Sequence, residues 1–114
     1  TQICHASDGE EALETARLYF RPNVIITDWD MKPMNGLTFV SELRMTQPSS
    51  VNIPVVMVSA RTGESAIRSA MDAGVDEYLT KPIDPTALYH VLAQVTGKMG
   101  LGQASVAPCA AAHP

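Results

Sequence analysis

Four apolar residues in a row, Val55-Val56-Met57-Val58, stop abruptly at Ser59. A short, β-branched run with no polar alternation is the mark of a strand covered on both faces, as in a parallel sheet sandwiched by helices. Two further segments follow the same plan. Val24-Ile25-Ile26-Thr27 ends at Asp28, and Tyr78-Leu79-Thr80 ends at Lys81 followed by Pro82. Residues 1–6 make one more short strand. Strands of this kind must be joined by crossover helices, so the chain is expected to be a doubly wound parallel α/β sheet.

The intervening segments carry helical signals. Ser7-Asp8-Gly9-Glu10-Glu11 opens a helix with a capping residue and acidic first turn, and Ala12, Leu13, Ala16 and Phe20 share one face. Arg21-Pro22-Asn23 ends it. After the turn at Asn35-Gly36, Leu37, Phe39, Val40 and Leu43 repeat the pattern to about Met45, and Gln47-Pro48-Ser49-Ser50 forms the next loop. Ala66, Ile67, Ala70 and Met71 predict another helix, with Gly74 just past its end. The clearest helix start is Asp84 as N-cap with Pro85 at the first helical position, followed by Leu88, Val91, Leu92 and Val95. From Gly97 onward small residues and proline dominate, so 97–114 is expected to be a disordered tail or linker behind one domain over 1–96.

Composition narrows the function classes. A chain of 114 residues with 46% hydrophobic content holds one globular domain. The net charge of −4, without any run of Lys or Arg, argues against direct nucleic-acid binding. No stretch approaches the roughly 20 apolar residues of a membrane span, and the start carries no signal-peptide pattern, which leads us to expect a cytoplasmic protein without a membrane partner. Cys4 and Cys109 have neither pairing nor metal spacing and are expected to be free thiols. His5, His90 and His113 form no ligand pattern.

In an open parallel sheet, ligands bind beyond the carboxyl ends of the strands. A carboxylate (Asp28), a hydroxyl (Ser59) and an ammonium (Lys81) should therefore meet at one edge. Each has a plainer reading when taken alone: Asp28 a cap or turn former, Ser59 a hydroxyl serving nearby backbone, Lys81 a surface lysine. As a set they suit phosphoryl transfer, which needs an ionised nucleophile, a cation and hydrogen-bond donors around the equatorial oxygens.

The blocks Asp28-Trp29-Asp30-Met31-Lys32-Pro33-Met34-Asn35-Gly36, Val58-Ser59-Ala60-Arg61 and Tyr78-Leu79-Thr80-Lys81-Pro82 resemble, in order and spacing, the receiver domain of bacterial two-component response regulators. The resemblance covers about residues 1 to 96. It implies a flavodoxin-like fold and a phosphorelay signalling function without enzymatic turnover of its own. Asp28 would accept a phosphoryl group from a sensor histidine kinase or phosphotransfer protein, with Ser59 and Lys81 around it. Mg2+ would be held by Asp28 and the backbone carbonyl of Asp30, and the Lys81-Pro82 bond would be cis. Tyr78 would switch between outward and inward positions and so change the surface offered to a downstream protein.

Two departures from the pattern stand out. Lys32 occupies the usual proline position four residues after the nucleophile, with Pro33 one place later. The chain also opens at what resembles the family's second strand, without the first strand and the acidic pair that it carries. Because that strand lies mid-sheet in the 2-1-3-4-5 order, a piece of a longer protein is expected, poorly stable as a monomer or completed by a partner chain. Two other functions stay open: an inactive or binding-only receiver fragment, and a haloacid dehalogenase-like phosphatase, whose D-x-D pair Asp28-Trp29-Asp30 also resembles.

Overall fold

The computed structural model describes residues 2–10, 12–13, 22–32, 34–46, 53–97 and 105–108. Strands β1 (Gln2–Ala6), β2 (Val24–Asp28), β3 (Val55–Ser59), β4 (Glu77–Thr80) and β5 (Ser105–Pro108) form one sheet in the order β4-β3-β2-β1-β5. Every pairing is parallel. Helices α1 (Gly36–Thr46), α2 (Glu64–Ala73) and α3 (Pro85–Thr96) connect or follow them. Gly9, Glu10, Ala12 and Leu13 are also helical, whereas the expected continuation through Ala16 and Phe20 lies outside the described residues. This is the expected doubly wound α/β architecture.

Side chains alternate across the strands and build two cores. Cys4, Ile25, Val55 and Met57 face Phe39, Val40 and Leu43 of α1 and Ala70 of α2. Ile3, Val24, Ile26, Val56 and Val58 face Leu92 of α3. All five residues of β3 are buried, as its unbroken apolar run requires.

Helix ends obey the local signals. Asp84 accepts the Thr86 N–H at 3.1 Å and Pro85 opens α3. Gly74, at φ 110°, closes α2 in the left-handed conformation that side chains rarely adopt. Its carbonyl also takes the Arg44 guanidinium, which pairs with Asp76 at 3.1 Å, while Asp76 accepts the Val55 N–H at 2.8 Å. Burial lowers the Arg44 pKa and Asp76 acts against that shift, so this ion pair joins α1, α2 and β3 near the amino end of the sheet.

Three expectations fail on the β1 side. The sheet has no central gap, because β1 lies directly against β2, with Ala6 level with Thr27. Ile3, Cys4 and Ala6 are buried, so β1 has the apolar content that an interior strand needs. The tail is not wholly without structure: Ser105–Pro108 pairs with β1 as an edge strand. There its main chain occupies hydrogen-bonding groups that an open edge would expose, and proline is tolerated at such an edge. Finally, Cys4 is disulfide-bonded rather than a free thiol. Sequence spacing could not foresee this, because the pairing of Cys4 with Ala107 comes from the strand order. Cys109 and His113 lie outside the described residues.

Candidate functional site

Register assembles the site. Asp28 pairs with Val58, placing Ser59 one residue further along the edge, and Ser59 pairs with Thr80, placing Lys81 one further still. The three expected residues thus climb in single-residue steps across three neighbouring strands. The Lys81 Nζ donates to Asp28 Oδ2 at 2.5 Å, bridging over β3 between residues 53 positions apart. Asp28 is about one quarter exposed and Lys81 less than half, so the pair sits at a mouth open to an incoming group.

The turn after β2 keeps that mouth open. Gly36 N–H donates to the Trp29 carbonyl at 2.8 Å, and Asn35 Oδ1 accepts the Thr38 N–H at 2.9 Å, so Asn35 caps α1. A Cβ on Gly36 would lie 2.1 Å from the Asp28 carbonyl oxygen. Only glycine permits this close approach of the helix start to β2. On the other side, the Lys81-Pro82 peptide is cis, as the resemblance implied.

Ser59 is fully buried, and its Oγ accepts the Arg61 N–H at 3.0 Å rather than contacting Asp28. Its carbonyl accepts the Lys81 N–H at 2.8 Å, which aligns the lysine with the site. Tyr78 donates its hydroxyl to the Arg61 carbonyl at 2.8 Å and stands edge-on to Trp29, with ring centroids 6.3 Å apart. Asp30 carries its carboxylate away from this cluster to Arg61, at 2.9 Å.

Arg61 is the residue that sequence reasoning missed. It touches Ser59 and Tyr78 through its backbone, Asp30 and Trp29 through its side chain. The pattern of residues gave no signal for it beyond its place two positions after Ser59. Asp8 was read only as part of a helix start, and its side chain does accept the Glu10 N–H at 3.0 Å. It also follows β1 at the same carboxyl edge as Asp28, given the pairing of Ala6 with Thr27.

Magnesium takes near-octahedral oxygen ligation, often from only one or two carboxylates with water and phosphate oxygens completing the shell. Asp28 offers a carboxylate at the edge, and the resemblance would add the Asp30 backbone carbonyl, which together meet that minimal demand. Among the described residues no three metal-ligating side chains gather. Protein ligation would thus leave most positions to water and the phosphoryl group.

A parallel sheet with a carboxylate and an ammonium paired at its carboxyl edge defines an α/β domain built to handle an anion there. The family model for the response regulator receiver domain matches residues 1–93. The chain is 35% identical over 95 residues to the chemotaxis protein CheY1 of Helicobacter pylori, covering 83% of this chain and 76% of that protein. It is 38% identical over 81 residues to the transcriptional regulatory protein KdpE of Mycobacterium tuberculosis, covering 71% of this chain and 34% of KdpE. Among solved structures, the chemotaxis response regulator CheY4 of Vibrio cholerae aligns with a TM-score of 0.75 at 25% identity, over 83% of this chain and 98% of that one. The receiver domain of the sensor histidine kinase PA1611 from Pseudomonas aeruginosa, solved with a magnesium ion in its active-site cleft, has the same fold, with a TM-score of 0.75 at 19% identity over 85% of this chain and 98% of that one.

This chain belongs to the response regulator receiver domain family. Its role is that of a phosphoacceptor in two-component signalling. Receiver domains work with histidine kinases and with downstream targets. Among the described residues, no helix is long and apolar enough to cross a membrane.

Proposed function

We propose that Asp28 is the phosphoacceptor and that Lys81, Ser59 and Tyr78 transmit its state. The observation that carries this reading is the direct Asp28–Lys81 pair at the carboxyl edge of the sheet. An Asp28 carboxylate oxygen attacks phosphorus of a phosphohistidine on a kinase or phosphotransfer protein. The O–P bond forms as the P–N bond breaks, and the imidazole leaves with its electron pair and takes up a proton. Lys81 stays beside the new acyl phosphate, where at about 4 Å and an effective dielectric near 20 the attraction is about 4 kcal/mol. Asp28 and the Asp30 carbonyl would hold a magnesium ion, which would neutralise charge on the phosphoryl oxygens.

The chain assists its own phosphorylation and dephosphorylation without being an enzyme on other substrates. The phosphatase alternative requires a free acid two residues after the nucleophile, and Asp30 is instead paired with Arg61. For output, the favoured surface is formed by α2, β4 and α3, where Ile67, Met71 and Tyr89 are exposed apolar contacts for a protein partner. Operation without nucleic-acid contact by this domain accords with the acidic balance of the chain. The receiver match covers residues 1–93, and β5 adds residues 105–108 to the same sheet.

Intact mass after incubation with magnesium and acetyl phosphate tests the reading. The expected result is a gain of one phosphoryl mass, absent in Asp28→Asn and when magnesium is chelated. A chain that gains no mass would instead be the inactive or binding-only receiver. Gain that persists in Asp28→Asn would move the acceptor elsewhere.

A further inference from the structure

The mouth of the site holds an interaction set that the phosphoacceptor reading does not use. The Arg61 guanidinium lies over the Trp29 ring, 4.7 Å from its centroid, and its Nη2 reaches Asp30 Oδ1 at 2.9 Å. Trp29 is buried and meets the Tyr78 ring edge-on. The backbone carbonyl of the same Arg61 receives the Tyr78 hydroxyl. One residue therefore holds the loop after β2 with its side chain and the Tyr78 hydroxyl with its main chain.

We propose that Arg61 is a positioning residue whose side chain, stacked on Trp29 and paired with Asp30, fixes Tyr78 against the β3–α2 loop before phosphorylation. The inference rests on Tyr78 being the switch residue, and it adds that in this chain the switch is set in advance by Arg61. Anchored at both ends, the carbonyl that Tyr78 needs stays in place. An exposed ion pair and an exposed cation–π contact each bias such an equilibrium by a factor of roughly two to five, and together by about tenfold. Phosphorylation of Asp28 then moves Tyr78 less than it would in a chain lacking the Arg61 side chain.

The test is the ring resonances of Tyr78 in the full chain labelled at tyrosine, assigned with Tyr78→Phe, and compared between the unchanged chain, Arg61→Lys and Arg61→Ala. Arg61→Ala is expected to shift the Tyr78 signals toward a second position by a population change of about tenfold, with Arg61→Lys between the two because it keeps the charge and loses the planar fork. Raising the salt to about 1 M is expected to move the unchanged chain part of the way, since exposed pairs are screened. Asp30→Asn, which removes the ion pair and keeps the stack, is expected to give a smaller shift in the same direction and serves if Arg61→Ala does not fold. A purely structural Arg61 would lower the melting temperature without moving Tyr78. Coincident Tyr78 signals in the unchanged chain and in Arg61→Ala, or in Asp30→Asn if that variant must serve, would overturn the proposal. No phosphoryl donor is used, so failure of this lock and failure of Asp28 to accept phosphate are separate results.

Discussion

The β2-β3-β4 half of the sheet and its β1-β5 flank obey different kinds of rule. In the first half, each strand is written in its own residues and ends in the group that does the chemistry; every residue of β3 is buried and Asp28, Ser59 and Lys81 follow in register. On the flank, β1 sits inside the sheet only because β5 covers its other side, and Cys4 is held in a disulfide. The first half is held by local apolar content, the second by a long-range partnership. Chemistry placed on the first half rests on strands that follow one another in the chain, whereas β1 and β5 meet from opposite ends of the described residues.

That contrast makes measurable differences. Phe39→Ala removes the largest fully buried side chain beneath the site half and is expected to cost about 3 to 5 kcal/mol by urea denaturation, a large share of the roughly 5 to 15 kcal/mol that holds an ordinary domain together. A loss below about 1 kcal/mol would mean that the α1 side of the sheet is not the main core. Reduction of the Cys4 disulfide is expected to lower stability by about 2 to 4 kcal/mol. Hydrogen exchange should then quicken in β1 and β5 while β3 stays protected. Equal quickening in β3 would erase the distinction between the two regions. Asp84→Ala removes only the side-chain cap of α3 and is expected to cost about 1 kcal/mol, with phosphorylation of Asp28 unaffected. If phosphoryl uptake fell along with the cap, α3 would belong to the site half after all.

Much of the fold was legible because its signals are local. Asp84-Pro85 started a helix and Gly74 ended one for backbone reasons that need no neighbour. The valine-rich run of β3 could satisfy itself only between two layers. The expected gap in mid-sheet does not appear because β1, a strand with buried faces and a free edge, pairs directly with β2. Residues 105–108 look like a linker by composition, and main-chain pairing with β1 is indifferent to that composition. Arg61 was overlooked for a related reason. An exposed arginine has the same local signature whether it is solvated or laid over a tryptophan, and its partners here are 31 and 32 positions away at Asp30 and Trp29.

By itself, the sequence determined which segments outside residues 105–108 are strands and helices and which groups stand at the ends of β2, β3 and β4, because apolar periodicity, capping and chain stiffness act within a few residues. Tertiary structure alone decided that β1 lies against β2, that the C-terminal strand closes the flank, and that Arg61 joins Trp29, Asp30 and Tyr78. Those outcomes depend on which open edges and exposed charges come within reach of each other, and that is a property of the folded chain rather than of any stretch of it.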